Sequence, residues 1–295
     1  MAFQRIGILS IGEMGYHWAR LLTEHGVEVM TCSRGRSEVT RKRAENAGVK
    51  SAPLSRLVTE ADLIVSIVVP SAARKIASQV GKALLKAGRK ECLYLDANAI
   101  SPMTAGAVGQ ALSEAQAGFV DGCIIGSATK LSEAVVYVSG PRAEELSGLR
   151  DSGFSVEVLG PTTGQASAFK IVYAGLTKGL QGLLTELLLG ARKFDLLQEI
   201  MRRYEESFPG LVSKVGRGIA ALPVHAGRRA EEMRELRGTF RHYGLKAVMA
   251  PATQKILEQI AELDCGKPSE TGGREGELLE TLELFFQRGL LQEKN

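Results

Sequence analysis

The sequence has no run of about 18 apolar residues, the length a membrane-spanning helix requires, so no span is expected. Cysteine is scarce and scattered: Cys32, Cys92, Cys123 and Cys265 form no C-x-x-C pair and no Cys/His spacing suited to zinc. That argues against a resident metal and against a disulfide framework. The opening M-A-F-Q-R-I-G-I-L-S-I lacks the charged and then apolar segments of a secretory signal, and a reducing cytoplasm is the expected compartment. Charge of one sign is also missing. The 37 basic and 33 acidic residues are interspersed, and a net charge of +4 leaves no basic stripe for nucleic acid. His17, His25 and His242 read as structural, and the lone tryptophan, Trp18, as core.

What is present is organised around Gly160–Phe194, which reads G-P-T-T-G-Q-A-S-A-F-K-I-V-Y-A-G-L-T-K-G-L-Q-G-L-L-T-E-L-L-L-G-A-R-K-F. Apolar residues recur at helical spacing through Phe169, Val172, Leu176, Leu180, Leu183, Leu184 and Leu187, with no proline after Pro161. A helix over Ala166–Phe194 would be about 43 Å long at roughly 1.5 Å per residue. Gly175, Gly179, Gly182 and Gly190 each cost such a helix roughly 1 kcal/mol, so it needs packing on several sides. Lys170 is the one charged residue between Gly160 and Thr177. A lone cation there is either snorkelling to water or placed for chemistry.

Ahead of this helix, strand-like and helix-like segments alternate. Extended runs are expected at Arg5–Ile11, Val27–Cys32, Val49–Ala52, Ala61–Val69, Cys92–Asp96, Phe119–Ile125, Ala134–Ser139 and Ser155–Val158. Helices are expected at Met14–His25, Ser37–Ala47, Ser71–Ala87 and Pro102–Ala115. Strands without in/out alternation, separated by helices, imply a doubly wound α/β domain with a parallel sheet covered on both faces. Residues 1–160 would form it, and 161–194 the connecting helix. An all-α domain at 195–265 would follow, with helices at Asp195–Glu206, Pro209–Ile219, Pro223–Tyr243 and Pro251–Leu263, three of them opened by proline. Residues 266–295 comprise a breaker-rich linker, Gly266–Gly276, and an amphipathic helix, Glu277–Gln292, packed either on its own domain or on a partner subunit.

The first strand runs into S-I-G-E-M-G at Ser10–Gly15, a G-x-G-x-x-G fingerprint with serine in the first position. Gly12 lets the backbone approach a pyrophosphate, and Gly15 permits close helix–sheet packing. The helix N-terminus behind Ser10, Ile11, Gly12, Glu13 and Met14 favours phosphate. The competing reading is a tight turn without a ligand. At the end of the second strand, T-C-S-R-G-R-S carries no acid to take the ribose hydroxyls of NAD. Arg34 beside Ser33 suits a ribose 2′-phosphate instead, so NADP (NADPH) is the expected cofactor, whereas Arg36, Arg41, Lys42 and Arg43 read as a solvated helix face.

S-I-G-E-M-G, V-V-P-S-A, D-A-N-A-I-S-P at Asp96–Pro102, D-G-C-I-I-G-S at Asp121–Ser127 and G-Q-A-S-A-F-K at Gly164–Lys170 occur in a fixed order. In that order they resemble the β-hydroxyacid dehydrogenase / 6-phosphogluconate dehydrogenase superfamily, and its phosphogluconate dehydrogenase-like branch in particular, from about Arg5 to Leu263. The resemblance implies an NADP-binding Rossmann-type domain, a helical second domain that dimerises and a small anionic substrate between the two. It makes Lys170 the general acid/base for the substrate hydroxyl. A lysine in a partly dry cleft has a lowered pKa and shuttles protons near neutrality. The resemblance further implies Val69 and Pro70 at the cofactor, Asn98 and Ser101 near nicotinamide and substrate, and Gly126 and Ser127 at the substrate carboxylate. It departs after the lysine, where asparagines are usual and Tyr173 and Ala174 stand here. Tyr173 and Thr177 share a helical face with Lys170, and the phenol can substitute for an asparagine.

The segment P-V-H-A-G-R-R-A-E-E-M puts His225, Arg228, Arg229 and Glu232 on one helix face. Either His225 and Arg229 bind an anionic group of the substrate, or the face is a surface laced with ion pairs such as Arg228–Glu232. The expected function is hydride transfer between NADP and a small hydroxy acid or its carbonyl counterpart, without a metal, by a homodimer. Imine reduction and a catalytically silent NADP-binding scaffold are the alternatives.

Overall fold

Short β-branched runs closed by polar or turn residues set the strands of the first half. The computed structural model describes residues 3–90, 92–263 and 275–292. Its sheet consists of β1 (Arg5–Ile8), β2 (Glu28–Thr31), β3 (Lys50–Ser51), β4 (Leu63–Ser66), β5 (Leu93–Asp96), β6 (Gly118–Ile125), β7 (Val135–Ser139) and β8 (Ser155–Gly160), in the spatial order β3-β2-β1-β4-β5-β6-β7-β8. Alternate residues of one strand feed opposite cores. Leu63 and Val65 pack with Trp18 and Leu22 of α1 (Glu13–Glu24), while Ile64 packs with Val80 and Leu84 of α4 (Ala73–Ala87) and Val108 of α5 (Pro102–Ser113). The sheet is thus covered on both faces, as doubly wound folds require.

Two details differ from the expected pattern. β7 runs antiparallel to β6, because the nine residues between them are too few for a crossover to a parallel strand. A helix α3 (Leu54–Glu60) stands between β3 and β4. It is too short to display helical periodicity, and it is held by two buried residues, Leu57 and Val58. Another helix, α2 (Glu38–Asn46), is capped by Ser37, whose hydroxyl accepts from Thr40 N.

The chain divides into two compact units, with the boundary after Lys170. The helix α6 (Gln165–Lys193) begins in the first unit and continues into the second. The second unit is helical among the described residues: α7 (Leu197–Ser207), α8 (Leu211–Ala220), α9 (Leu222–His242), α10 (Met249–Glu262) and α11 (Glu275–Gln287). Leu188, Ile219, Leu222, Leu257, Leu282 and Phe285 form its core, so α11 packs on its own unit. The linker expected at 266–276 lies outside the described residues up to position 274. Proline opens these helices less directly than expected. Pro223 is the second residue of α9 and Pro251 the third of α10, while Pro209 lies outside α8, whose N-cap is Gly210. No described helix is long and apolar enough to cross a membrane.

Candidate active site

In a sheet of this order, ligands bind beyond the carboxyl ends of the strands, where the order reverses between β1 and β4. The loop from Ser10 to Gly12 leaves β1 there and enters α1. Gly12 is the N-cap of α1 and offers no side-chain hydrogen bond. The first-turn N–H groups are therefore available to an anion. A Cβ added to Gly12 would meet nothing within 4 Å, so space is open in front of them. At Gly15 the reverse holds: a Cβ would lie 2.2 Å from Ser10 O, and helix and loop touch there. Open space before Gly12 and close packing at Gly15 are the two roles that glycines take in a G-x-G-x-x-G turn.

Beyond β2, the Ser33–Arg36 turn is closed by Arg36 N donating to Ser33 O, with Gly35 at a positive φ. Arg34 is exposed and has no ion pair or hydrogen bond among the described residues. Arg36 does not lie on a solvated face: its Nη2 donates to Leu9 O at 2.9 Å, tying the turn to the end of β1. Its backbone carbonyl in turn accepts from Arg41 Nη1. Leu9, Cys32, Arg34, Arg36 and Gln79 line a cleft of about 100 Å³. Beyond β4, Val69 is 65% exposed and leads into a 3-10 turn, Pro70–Ala72.

The next loops are held by a row of buried polar residues in cross-strand register: Ser66 on β4, Asp96 on β5, Asp121 on β6 and Ser139 on β7. All four are fully buried. Asn98 spans the gap between the β4 and β5 loops. Its backbone N–H donates to Asp96 Oδ1 at 3.0 Å, its Nδ2 donates to Ser66 Oγ at 3.0 Å, and its Oδ1 accepts from Val68 N. Burial pushes the Asp96 carboxyl up to about 7; the Asn98 hydrogen bonds oppose the shift and the Asp121 charge adds to it. Ser101 caps α5, its Oγ accepting from Thr104 N at 3.2 Å.

Lys170, in the second turn of α6, donates from Nζ to Ile124 O near the end of β6 at 2.6 Å. Gly126 and Ser127 follow directly on that strand and are exposed. Gly126 has φ +144, and a Cβ there would come within 2.5 Å of Ala134 Cβ, so the position requires glycine. Ser127 Oγ is 3.0 Å from Thr129 Oγ1. Burial pushes the Cys123 thiol up to about 12 and the Cys92 thiol up as well, while Cys32 is half-exposed in the cleft beyond β2.

The first unit therefore gathers Ser10–Met14, Ser33, Arg34, Val69, Pro70, Asn98, Ser101, Gly126, Ser127 and Lys170 around the carboxyl ends of its strands. Tyr173, Thr177, His225 and Arg229 belong to the second unit. Tyr173 is exposed, and Thr177 Oγ1 donates to Ala174 O within its own helix. Arg229 Nη1 donates to Gln181 Oε1 at 2.9 Å and Gly218 O at 2.7 Å, and Arg228 pairs with Glu232 at 2.6 Å. His225 is pulled below the usual imidazole range, first by burial and then by the Arg228 and Arg229 charges. Asp96 and Asp121 stand in the D-A-N and D-G-C motifs but are not among the candidate site residues that those motifs supply. An acid closing or interrupting an apolar strand is the signal that would have found both, since buried carboxylates need partners.

Residues 5–150 match the family described as the NAD binding domain of 6-phosphogluconate dehydrogenase, and residues 191–260 match a domain of unknown function, DUF1932. A protein of Methanothermus fervidus, described as an uncharacterized 28.5 kDa protein in the 7S RNA 5′ region, is 31% identical over 260 residues, covering 88% of this chain and 99% of that one. The chain belongs to the 6-phosphogluconate dehydrogenase superfamily. Among solved structures of this superfamily fold, the conserved protein MTH1747, of unknown function and described as structurally similar to 3-hydroxyacid dehydrogenases, has a TM-score of 0.75 at 29% identity, over 87% of this chain and 96% of that one. The 3-hydroxyisobutyrate dehydrogenase of Mycobacterium tuberculosis with L-serine has a TM-score of 0.74 at 16% identity, over 95% and 99%. An imine reductase from Myxococcus stipitatus in complex with NADP+ has 0.58 at 16%, over 94% and 99%. These last two likenesses establish the fold alone. Superfamily membership makes the first unit a nicotinamide-nucleotide-binding domain and the protein a nicotinamide-dependent oxidoreductase.

Proposed function

We propose that the protein is an NADP-dependent dehydrogenase of a small hydroxy acid, also able to reduce the corresponding carbonyl compound, with Lys170 as general acid/base. The observation that carries this reading is the Lys170 ammonium held on Ile124 O beside Gly126 and Ser127 at the carboxyl edge of the nucleotide-binding sheet. Bound NADP supplies the hydride acceptor. Ser10, Ile11, Gly12, Glu13 and Met14 hold its pyrophosphate on the α1 N-terminus, and Val69 and Pro70 form an apolar wall for it. Ser33 and Arg34 take the 2′-phosphate, a preference supported by the exposed, unpaired Arg34 guanidinium and the lack of an acid at the end of β2.

Lys170 Nζ holds or releases the proton of the substrate hydroxyl, a contribution typical of a positioned general base. Gly126 and Ser127 bind the substrate carboxylate through backbone N–H and hydroxyl groups, without a metal. Asn98 and Ser101 set the β5 loop in place: Asn98 through Asp96, Ser66 and Val68, Ser101 through its cap on α5. Among second-unit residues, Tyr173 and Thr177 offer hydroxyls, while His225 and Arg229 suit an anionic group. Arg229 is half-buried, and both of its direct hydrogen-bond partners are neutral oxygens. The chain works as a homodimer in this reading, supported by exposed Leu176, Leu183 and Leu187 along α6.

The test is NADP+ reduction, followed by nicotinamide absorbance, over a panel of β-hydroxy acids and sugar acids, with NAD+ in parallel. Turnover with NADP+ that Lys170→Ala removes supports the reading. Turnover with NAD+ alone sinks the Arg34 assignment. Silence in both directions with carbonyl and imine substrates, with NADPH still bound, leaves a nucleotide-binding protein without this chemistry.

A further inference from the structure

Gly164 precedes α6 and has no side chain with which to cap it. The opening N–H groups of the helix are instead satisfied from across the sheet. Ser139 Oγ on β7 accepts from Ala166 N at 2.9 Å, and Asp121 Oδ2 on β6 accepts from Ser167 N at 2.9 Å. Ser167 Oγ donates to Asp121 Oδ1 at 2.6 Å, and Ser139 Oγ donates to Asp121 Oδ2 at 3.1 Å. Asp121, Ser139 and Ser167 are all fully buried. An ionised carboxylate only accepts, and the hydrogen-bond partners of Asp121 are donors, including the Gly164 backbone N–H. Negative charge at a helix N-terminus is also favoured by the helix dipole.

Three residues further along β6, Ile124 O accepts from Lys170 Nζ. One strand therefore grips α6 at two points, by a carboxylate at the first turn and by a carbonyl at the second. We propose that Asp121, acting through Ser167 and the first turn of α6, is the positioning residue that sets the Lys170 ammonium on Ile124 O. The inference rests on the general acid/base role given to Lys170 above and deepens it. A reacting group displaced by about 1 Å can lose about a hundredfold in rate, so a buried clamp on the supporting helix is a catalytic requirement as well as a structural one.

The test reads the amine directly, and so does not need a substrate. Full-length protein is acylated with limiting acetic anhydride, and the Lys170 rate is measured by peptide mass spectrometry against the other lysines. Asp121→Asn replaces an acceptor by a donor facing Ser139 and Ser167. Ser167→Ala removes one hydroxyl, and Ser167→Thr keeps it. The expected result is a change of severalfold in relative Lys170 acylation in Asp121→Asn and Ser167→Ala, restoration to the wild-type rate in Ser167→Thr, and no change in NADPH affinity. Where a turnover is found, kcat falls by at least about tenfold in Asp121→Asn, with KM for NADP+ unchanged. An unchanged Lys170 rate in Ser167→Ala overturns the proposal, even if Asp121→Asn fails to fold. Wild-type protein inert on every substrate, with acylation responding as expected, counts against the dehydrogenase reading and leaves the clamp standing.

Discussion

Two helices of this protein start on a carboxylate borrowed from elsewhere in the chain, and they make opposite use of it. α8 begins at Gly210, and Glu205 from the end of α7 accepts from Gly210 N, Val212 N and Ser213 N. α6 begins on Asp121, which comes from β6, 46 residues before Ser167. The Glu205 carboxyl is held below the usual glutamate range, chiefly by the Gly210 N–H, at a half-buried site. The Asp121 carboxyl is pushed up by burial, against its Ser167 and Ser139 hydrogen bonds. Near the surface a cap stabilises its helix at little desolvation cost. In the interior the same donors must offset a large one, which is warranted where the helix carries a residue that has to be placed.

The largest expected separation between the two is functional. Lys170→Ala should lower kcat by about 10²–10⁴-fold with NADPH affinity intact, whereas Lys214→Ala, near the start of α8, should change neither. Equal effects on kcat would dissolve the comparison. Next in size is stability. Asp121→Ala leaves buried donors of Ser139, Ser167 and the α6 backbone unmatched and should cost about 3 kcal/mol by urea unfolding. Glu205→Ala exposes its donors to solvent and should cost clearly less.

Asp96 gives a smaller effect of definite sign. Its folded pKa, about 7, lies above the ordinary carboxylate value, so the stability linked to its proton is complete at low pH and is lost as pH rises through 7. Asp96→Asn, which has no such proton to lose, should therefore gain on wild type between pH 5 and 8, by on the order of 2 kcal/mol. A difference that stays flat with pH would show that Asp96 stays in one protonation state. The smallest effect is local. Glu205 has a depressed folded pKa, so its contribution is present above the ordinary glutamate pKa and fades as pH falls through the folded value, while acidification takes nothing from the Asp121 cap. Hydrogen exchange corrected for intrinsic rates should then show Val212 and Ser213 losing protection on acidification while Ser167 keeps it.

The sheet was legible because its strands, the two-residue β3 (Lys50–Ser51) apart, carry their own short apolar runs. The Ser10–Gly15 loop was legible for the same reason, since fingerprint, strand and helix are contiguous. Lys170 stood out as an isolated charge. The antiparallel turn of β7 depends on a loop too short for a crossover helix, which its own run does not reveal. Proline signals a start of α8 at Pro209, whereas Glu205 supplies the cap and the helix starts beyond Gly210. The Asp121 clamp joins residues 18 and 46 positions apart, and no periodicity connects them. Arg36 read as a surface residue because its partner is a backbone carbonyl 27 positions away.

The three described thiols differ in a way that gives the experimenter a handle. Cys92 and Cys123 are buried, with thiols raised toward the inert form, while Cys32 is half-exposed on the wall of the cleft beyond β2. Of these three, an alkylating fluorophore should select Cys32 in the native state. The dye would then sit beside Arg34, where its emission would report nucleotide arriving at the cleft before any turnover is known.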